Sequence, residues 1–72
     1  MNWDYIAARW GEYQLNARRR WSLLTAGDFE AIANDRDRLV AKIGERYGIA
    51  LEQAEAQLAE WLGALREVSP FR

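Results

Sequence analysis

The chain contains no cysteine and no histidine. Disulfides are therefore excluded as supports, and so are the usual zinc and iron ligand sets. Proline occurs once, at Pro70, and Lys42 is the single lysine. No apolar run approaches the ~18 residues that would predict a membrane-spanning helix. The opening "MNWDYIAARW" lacks the basic-then-apolar form of a secretory signal. Catalysis is hard to build from what is left. General acid–base or nucleophilic chemistry would fall to Asp/Glu pairs, Lys42 or hydroxyl groups. The closest acid pairs, Glu52 with Glu55 and Asp35 with Asp37, sit at helix starts, where the dipole favours carboxylates for structural reasons. No calcium-loop spacing is present. The residues thus predict no catalytic group, metal or cofactor, and no small-molecule substrate.

What the chain does have is aromatic mass: four Trp, three Tyr and two Phe in 72 residues. A chain this short makes one domain and buries only roughly 60% of its unfolded surface. Most of these rings are needed as core. The net charge is −1 with an isoelectric point near 5.3, so no global basic field attracts nucleic acid or anionic membrane. The charge is uneven, however. Residues 1–24 carry four Arg against Asp4 and Glu12, while the remainder is net acidic.

Apolar positions recur at helical spacing throughout, and no segment alternates like a strand. A first helix is predicted over residues 3–23, with Asn2 as N-cap. Trp3, Ile6, Trp10, Tyr13, Ala17, Trp21 and Leu24 share an arc of about 80° on it. "TAGDFEAIA" opens a second, short helix through a capping box of Thr25 and Asp28, with Phe29 and Ile32 inward. Asn34 with Asp37 repeats that device before "DRDRLVAKIGERY", whose inner face is Leu39, Val40, Ile43 and Tyr47. Gly48 suits the left-handed position past its end. The fourth helix spans Leu51 to Val68, with Leu51, Ala54, Leu58, Trp61, Leu62, Leu65 and Val68 on one face and Pro70 as the stop. The fold class is all-α: a compact bundle of about four short helices, packed as two helical hairpins. Gly11, Gly44 and Gly63 fall on outer faces, where simple surface tolerance accounts for them.

"RDRLVAKIGERYGIALEQAEAQL", together with "MNWD", the Trp10–Trp21 spacing and "LT" followed by acids and "IA", resembles the CsbD-like family of small bacterial general stress-response proteins. The match runs over roughly residues 1–61 and leaves 62–72 as a helix extension and tail. The residues that carry it are Trp3, Trp10, Trp21, Arg36, Asp37, Leu39, Ile43, Arg46, Tyr47, Gly48, Ala54 and Trp61. The resemblance implies a small helical fold, a mainly structural role for these residues, and no enzymatic activity or cofactor. It also shows departures. Leu15 and Ala41 stand where the family commonly has Gly. Ala50 stands where Ser or Thr often caps the last helix, so a cap worth ~1 kcal/mol is missing.

The run "NARRRW" sets Arg18, Arg19 and Arg20 directly before Trp21. On a helix the three arginines fan out at about 100° intervals. Trp21 belongs to the apolar stripe and is not free to stack on a base. Cations at a helix C-terminus complement its exposed carbonyls. Arg9, Leu15, Arg18, Arg19 and Arg20 form the candidate interaction surface, with Leu15 on the polar side near Ala8 and Gly11. An unknown protein partner or self-association is the expected use, and an accessory nucleic-acid contact the alternative. Membrane-surface binding by the first helix is disfavoured because its apolar face is needed inside. Arg36 and Arg46 flank the third helix's apolar face, and at least one is expected to pair with an acid such as Glu55 or Glu12. The absence of cysteine is compatible with a cytoplasmic location.

Overall fold

The computed structural model describes residues 2–68, with side chains as far as Leu65. Five helical segments make up the described chain: α1 Trp3–Ala8, α2 Trp10–Arg20, α3 Ala26–Ile32, α4 Arg36–Tyr47 and α5 Leu51–Val68. No strand occurs among the described residues. The fold is the all-α bundle that periodicity predicts. Helix α4 packs against both α3 and α5, so the two hairpins share a helix. The Val68 side chain and the Pro70 stop lie outside the described residues.

The predicted first helix is broken. At Arg9 the backbone turns to φ −122° and ψ 36°, and the Arg9 amide bonds to the Ile6 carbonyl, one residue short of an α-helical bond. The reason is aromatic packing. A straight helix separates residues seven or eight apart by about 10–12 Å along its axis. Here the Trp3 and Trp10 rings lie 5.4 Å apart, and the Tyr5 and Tyr13 rings 6.2 Å. The break folds the two segments together and lets Trp10 reach Phe29 at 6.3 Å. The same segment ends at Arg20 rather than residue 23, and Trp21 is its C-cap.

The helix ends follow local rules with one change of frame. Asn2 accepts the Tyr5 amide, and Thr25 and Asp28 form the reciprocal capping box. Helix α4, by contrast, is capped by Asp35, which accepts the Arg38 amide, and not by Asn34. Asn34 is used across the fold instead. Its carbonyl accepts the Trp3 indole N–H at 3.0 Å, and its amide donates to the Ala7 carbonyl at 3.4 Å. Gly48 takes the left-handed conformation (φ 63°, ψ 40°) that ends α4. Ala50 offers no side-chain cap, yet Gln53 Oε1 accepts its amide at 3.3 Å, which supplies the return half of a capping box.

The core is built from Ile6, Ala17, Trp21, Leu24, Phe29, Ile32, Leu39, Val40, Ile43, Ala54, Leu58 and Trp61. Trp21 and Trp61 meet edge to face at 5.4 Å, a favourable geometry for two ring quadrupoles. Trp3, Trp10, Tyr13 and Tyr47 are only half-buried against that core. Two expectations fail. Leu51 is 62% exposed: it stands in the first turn of α5, where its side chain lies near Gly44, a residue with no side chain to cover it. Gly44 is not a tolerant surface position, since a Cβ there would stand 3.2 Å from the Ile49 carbonyl oxygen. At Gly11 and Gly63 the space is open, as surface tolerance requires.

Ala33 ends α3 at φ 54° and ψ −122°, a region that L-residues rarely adopt. The bonds made by the adjacent Asn34 hold it there. Ala33→Gly relieves this strain and is expected to stabilise the fold by about 1 kcal/mol. Urea unfolding followed by circular dichroism checks it; an unchanged or lowered midpoint contradicts the strain.

Candidate interaction surface

Two charge populations occupy opposite sides of the chain's sequence. On α4 every cation has an acid within ion-pair distance. Arg36 Nη1 lies 3.7 Å from Glu55 Oε2 and 3.6 Å from Asp37, and Arg38 approaches Asp35 at 4.0 Å. Lys42 is shared between Asp28 at 3.7 Å and Glu45 at 3.4 Å. Arg46 grips Asp28 bidentately, donating from Nε at 2.9 Å and Nη2 at 2.8 Å. The expected Arg36–Glu55 pair is present. For Arg46 the partner is Asp28, a residue whose sequence role was only capping.

Asp28 is 5% exposed and its oxygens are saturated. Oδ2 also accepts the Thr25 amide at 3.0 Å. Hydrogen bonding by Arg46, then by the Thr25 amide, outweighs burial and holds the carboxyl well below the usual carboxylate range. The same bonds raise the Arg46 guanidinium further. A carboxylate so firmly ionised and enclosed is a poor proton carrier, and it clamps α3 to α4. One sequence signal pointed to it: Lys42 and Arg46 are spaced i, i+4 on α4, so both reach one acid on a neighbouring helix.

The predicted interaction residues behave differently. Arg9, Arg18, Arg19 and Arg20 are exposed, and none has an ion-pair partner among the described residues. Arg9 lies over the Tyr5 ring at 4.0 Å and Arg20 over Trp21 at 5.1 Å, both cation–π contacts. Arg18 and Arg19 have neither. Trp21 is fully buried, so the "RRRW" run divides into core and surface as helical geometry predicts. Leu15, beside them on α2, is 58% exposed. Burial, reinforced by Tyr5, pushes the Tyr13 hydroxyl up.

Behind this surface α2 is fastened to α5. Trp61 Nε1 donates to Asn16 Oδ1 and Trp21 Nε1 to Gln57 Oε1, each at 2.9 Å. The Trp10 indole N–H is buried without a hydrogen-bond partner. A shallow groove of about 340 Å³ lies elsewhere, between α3 and α4, floored by Ala31, Ile32 and Ala41 and rimmed by Arg38, Lys42 and Glu45. No cluster of three acids that could hold a metal occurs among the described residues, and no helix there is long and apolar enough to cross a membrane.

Comparison with known proteins places this arrangement. Over 61 residues the chain is 38% identical to the UPF0337 protein YjbJ of Escherichia coli K12, covering 85% of this chain and 88% of that protein. The chain belongs to the UPF0337 family. A second UPF0337 protein, ECA0631 of Pectobacterium atrosepticum, matches at 38% identity over the same shares of both chains. NE2439 of Nitrosomonas europaea is 34% identical over 58 residues, 81% of this chain and 62% of its own length. No family model and no solved structure matches.

The Asp28 clamp gives a pH test. Its folded pKa is depressed, so its contribution is complete above the unfolded value near ~4 and is lost as pH falls through the folded value. Asp28→Asn is therefore expected to lower the urea midpoint at pH 7 and to flatten the decline of stability below about pH 4. Parallel acid-limb profiles for the two proteins would show that Asp28 contributes nothing there.

Proposed function

We propose that this UPF0337 chain is a CsbD-like stress-response protein that acts in the cytoplasm by protein interaction and without catalysis. The observation that carries the reading is the division of charge. Each arginine on α4 is paired with an acid of the fold, while Arg18 and Arg19 on α2 are left available beside an exposed Leu15. Exposed arginine next to an apolar side chain is what protein interfaces enrich. The absence of catalysis is supported by Asp28, the one strongly perturbed carboxyl among the described residues, being committed to Arg46 and Thr25. The stress role rests on the family resemblance in "RDRLVAKIGERYGI", and the cytoplasmic location on a chain free of cysteine.

Crosslinking and affinity capture from stressed cells test this. The wild-type chain is expected to recover a specific protein that a Leu15→Asp/Arg18→Gln/Arg19→Gln variant of equal helicity recovers at least ten-fold less. Identical recovery by both proteins would remove α2 from the interaction, and recovery of no protein, a second copy included, would remove the interaction.

A second reading follows from the same arginines. Arg9, Arg18, Arg19 and Arg20 are exposed cations without acid partners among the described residues, spread around the helix rather than set on one face, and they make an accessory nucleic-acid contact the alternative. The expected signature is oligonucleotide binding at low salt, weakening steeply with added salt and absent from an Arg18/Arg19/Arg20→Gln variant. Fluorescence anisotropy with labelled DNA and RNA measures it, and no binding at about 20 mM salt ends that reading.

A further inference from the structure

The break at Arg9 is not written in the residues around it. Ala7, Ala8 and Arg9 are strong helix formers, and the apolar stripe of residues 3–24 runs through them without a change of phase. Distant contacts impose the break. Asn16 stands level with Trp61, and Trp21 with Gln57, on antiparallel helices. The seven residues from Asn16 back to Arg9 therefore match the seven from Trp61 to Val68, where the described α5 ends. A straight α1 would overhang that end with Trp3 and Ile6 uncovered. Instead it turns back onto the core, and Asn34 holds it. The Asn34 side chain donates to the Ala7 carbonyl, whose partner in a continuous helix is the Gly11 amide. The Asn34 carbonyl accepts the Trp3 indole N–H. Both bonds lie at the surface, and the first is long at 3.4 Å.

Holding α1 there strains three neighbouring points. Arg9 leaves the helical region, and the amides of Arg9 and Glu12 bond one residue short, to Ile6 and Arg9. Ala33, beside Asn34, sits at φ 54° and ψ −122°. The Trp10 indole N–H, in the ring that Trp3 packs on, is buried without a hydrogen-bond partner. From this concentration of strain around one surface contact we propose that Asn34 is a latch. When it lets go, residues 3–20 become one continuous helix whose α1 part swings off the core and projects past α5. That state restores the helical bonds from Arg9 to Tyr5 and from Gly11 to Ala7, frees Ala33 and opens Trp10 to water. It keeps Arg9 over Tyr5, since residues four apart are neighbours on a straight helix. It loses the burial of Ile6 and the Trp3–Trp10 and Tyr5–Tyr13 ring contacts, which makes it the minor state. The device switches apolar surface: Trp3 and Ile6 pack on the fold when latched and stand on a projecting helix when released. It operates whatever α2 binds.

The test is NMR relaxation dispersion on the purified full chain, which detects a minor state exchanging in microseconds to milliseconds and yields its chemical shifts. The expected result is exchange at residues 7–11 and 33–35 with one common rate, and a minor-state Arg9 Cα shift in the helical range. Asn34→Ala and Trp3→Phe each remove one bond of the latch and are expected to raise the minor population about five-fold. Ala33→Gly relieves the latched state and lowers that population. Gly11→Pro is the control for the straight helix. Proline is tolerated in the first turn of α2 but not inside a continuous helix, where its ring meets the Ala7 carbonyl. It is expected to abolish exchange at residues 7–11 while circular dichroism shows the fold retained. Exchange seen only in the latch variants still supports the latch. No exchange in the wild type or in either latch variant overturns the inference. So does a minor-state Arg9 in the coil range, which means that α1 frays instead of extending, or exchange that Gly11→Pro leaves unchanged. If Asn34→Ala does not fold, Trp3→Phe, which keeps an aromatic ring in place, decides the matter.

Discussion

A single enclosed carboxylate organises this small domain. Asp28 closes the capping box of α3 with one oxygen and receives the Arg46 fork with both, while Lys42 approaches from the same side. Helix α3 has only seven residues, too few to persist in water on its own. Its position depends on being tied to α4, and α4 is the helix against which α5 also packs. Burying a carboxylate is costly unless its hydrogen-bonding capacity is filled. Here the charge is met by a bidentate cation whose far side remains in water, so the clamp avoids the desolvation of a fully enclosed pair.

The aromatic residues then decide how the rest of the chain wraps around that pair of helices. Trp21 and Trp61 form the junction between α2 and α5, and each places its indole N–H on an amide side chain of the opposite helix. Trp3 does the same to the Asn34 carbonyl across α1 and the α3–α4 connection. Apolar ring and polar edge thus work together: the ring supplies burial and the N–H fixes register. Trp10 lacks the second half of this arrangement, and its ring meets Trp3 and Phe29 through tilted contacts alone.

The proposed interaction by this UPF0337 chain rests on what the fold leaves unused. Packing engages most of the aromatic stripe, and each cation of α4 stands within ion-pair distance of an acid. The arginines at the end of α2, the exposed Leu15 and the acids of α5 remain.

Much of this architecture was legible in the residues. Apolar spacing of three and four located the helical segments, Thr25 with Asp28 marked the start of α3, and Gly48 marked the end of α4. These are local effects, governed by residues within about one turn of each other, and so they are written directly in the chain. Arg36 with Glu55 was also foreseeable, because a cation at the edge of an apolar stripe must meet the neighbouring helix. The break at Arg9, the exposure of Leu51, the crowding at Gly44 and the recruitment of Asn34 away from capping were not. The first and last depend on where a distant segment comes to rest, and the other two on the path of the turn between α4 and α5, which apolar spacing does not describe. The sequence by itself determined which segments are helical, which faces are apolar and where charge accumulates. Only the tertiary structure decided that Asp28 belongs to Arg46 and that α2 lies beside α5, because both depend on the register between helices, which no local period encodes.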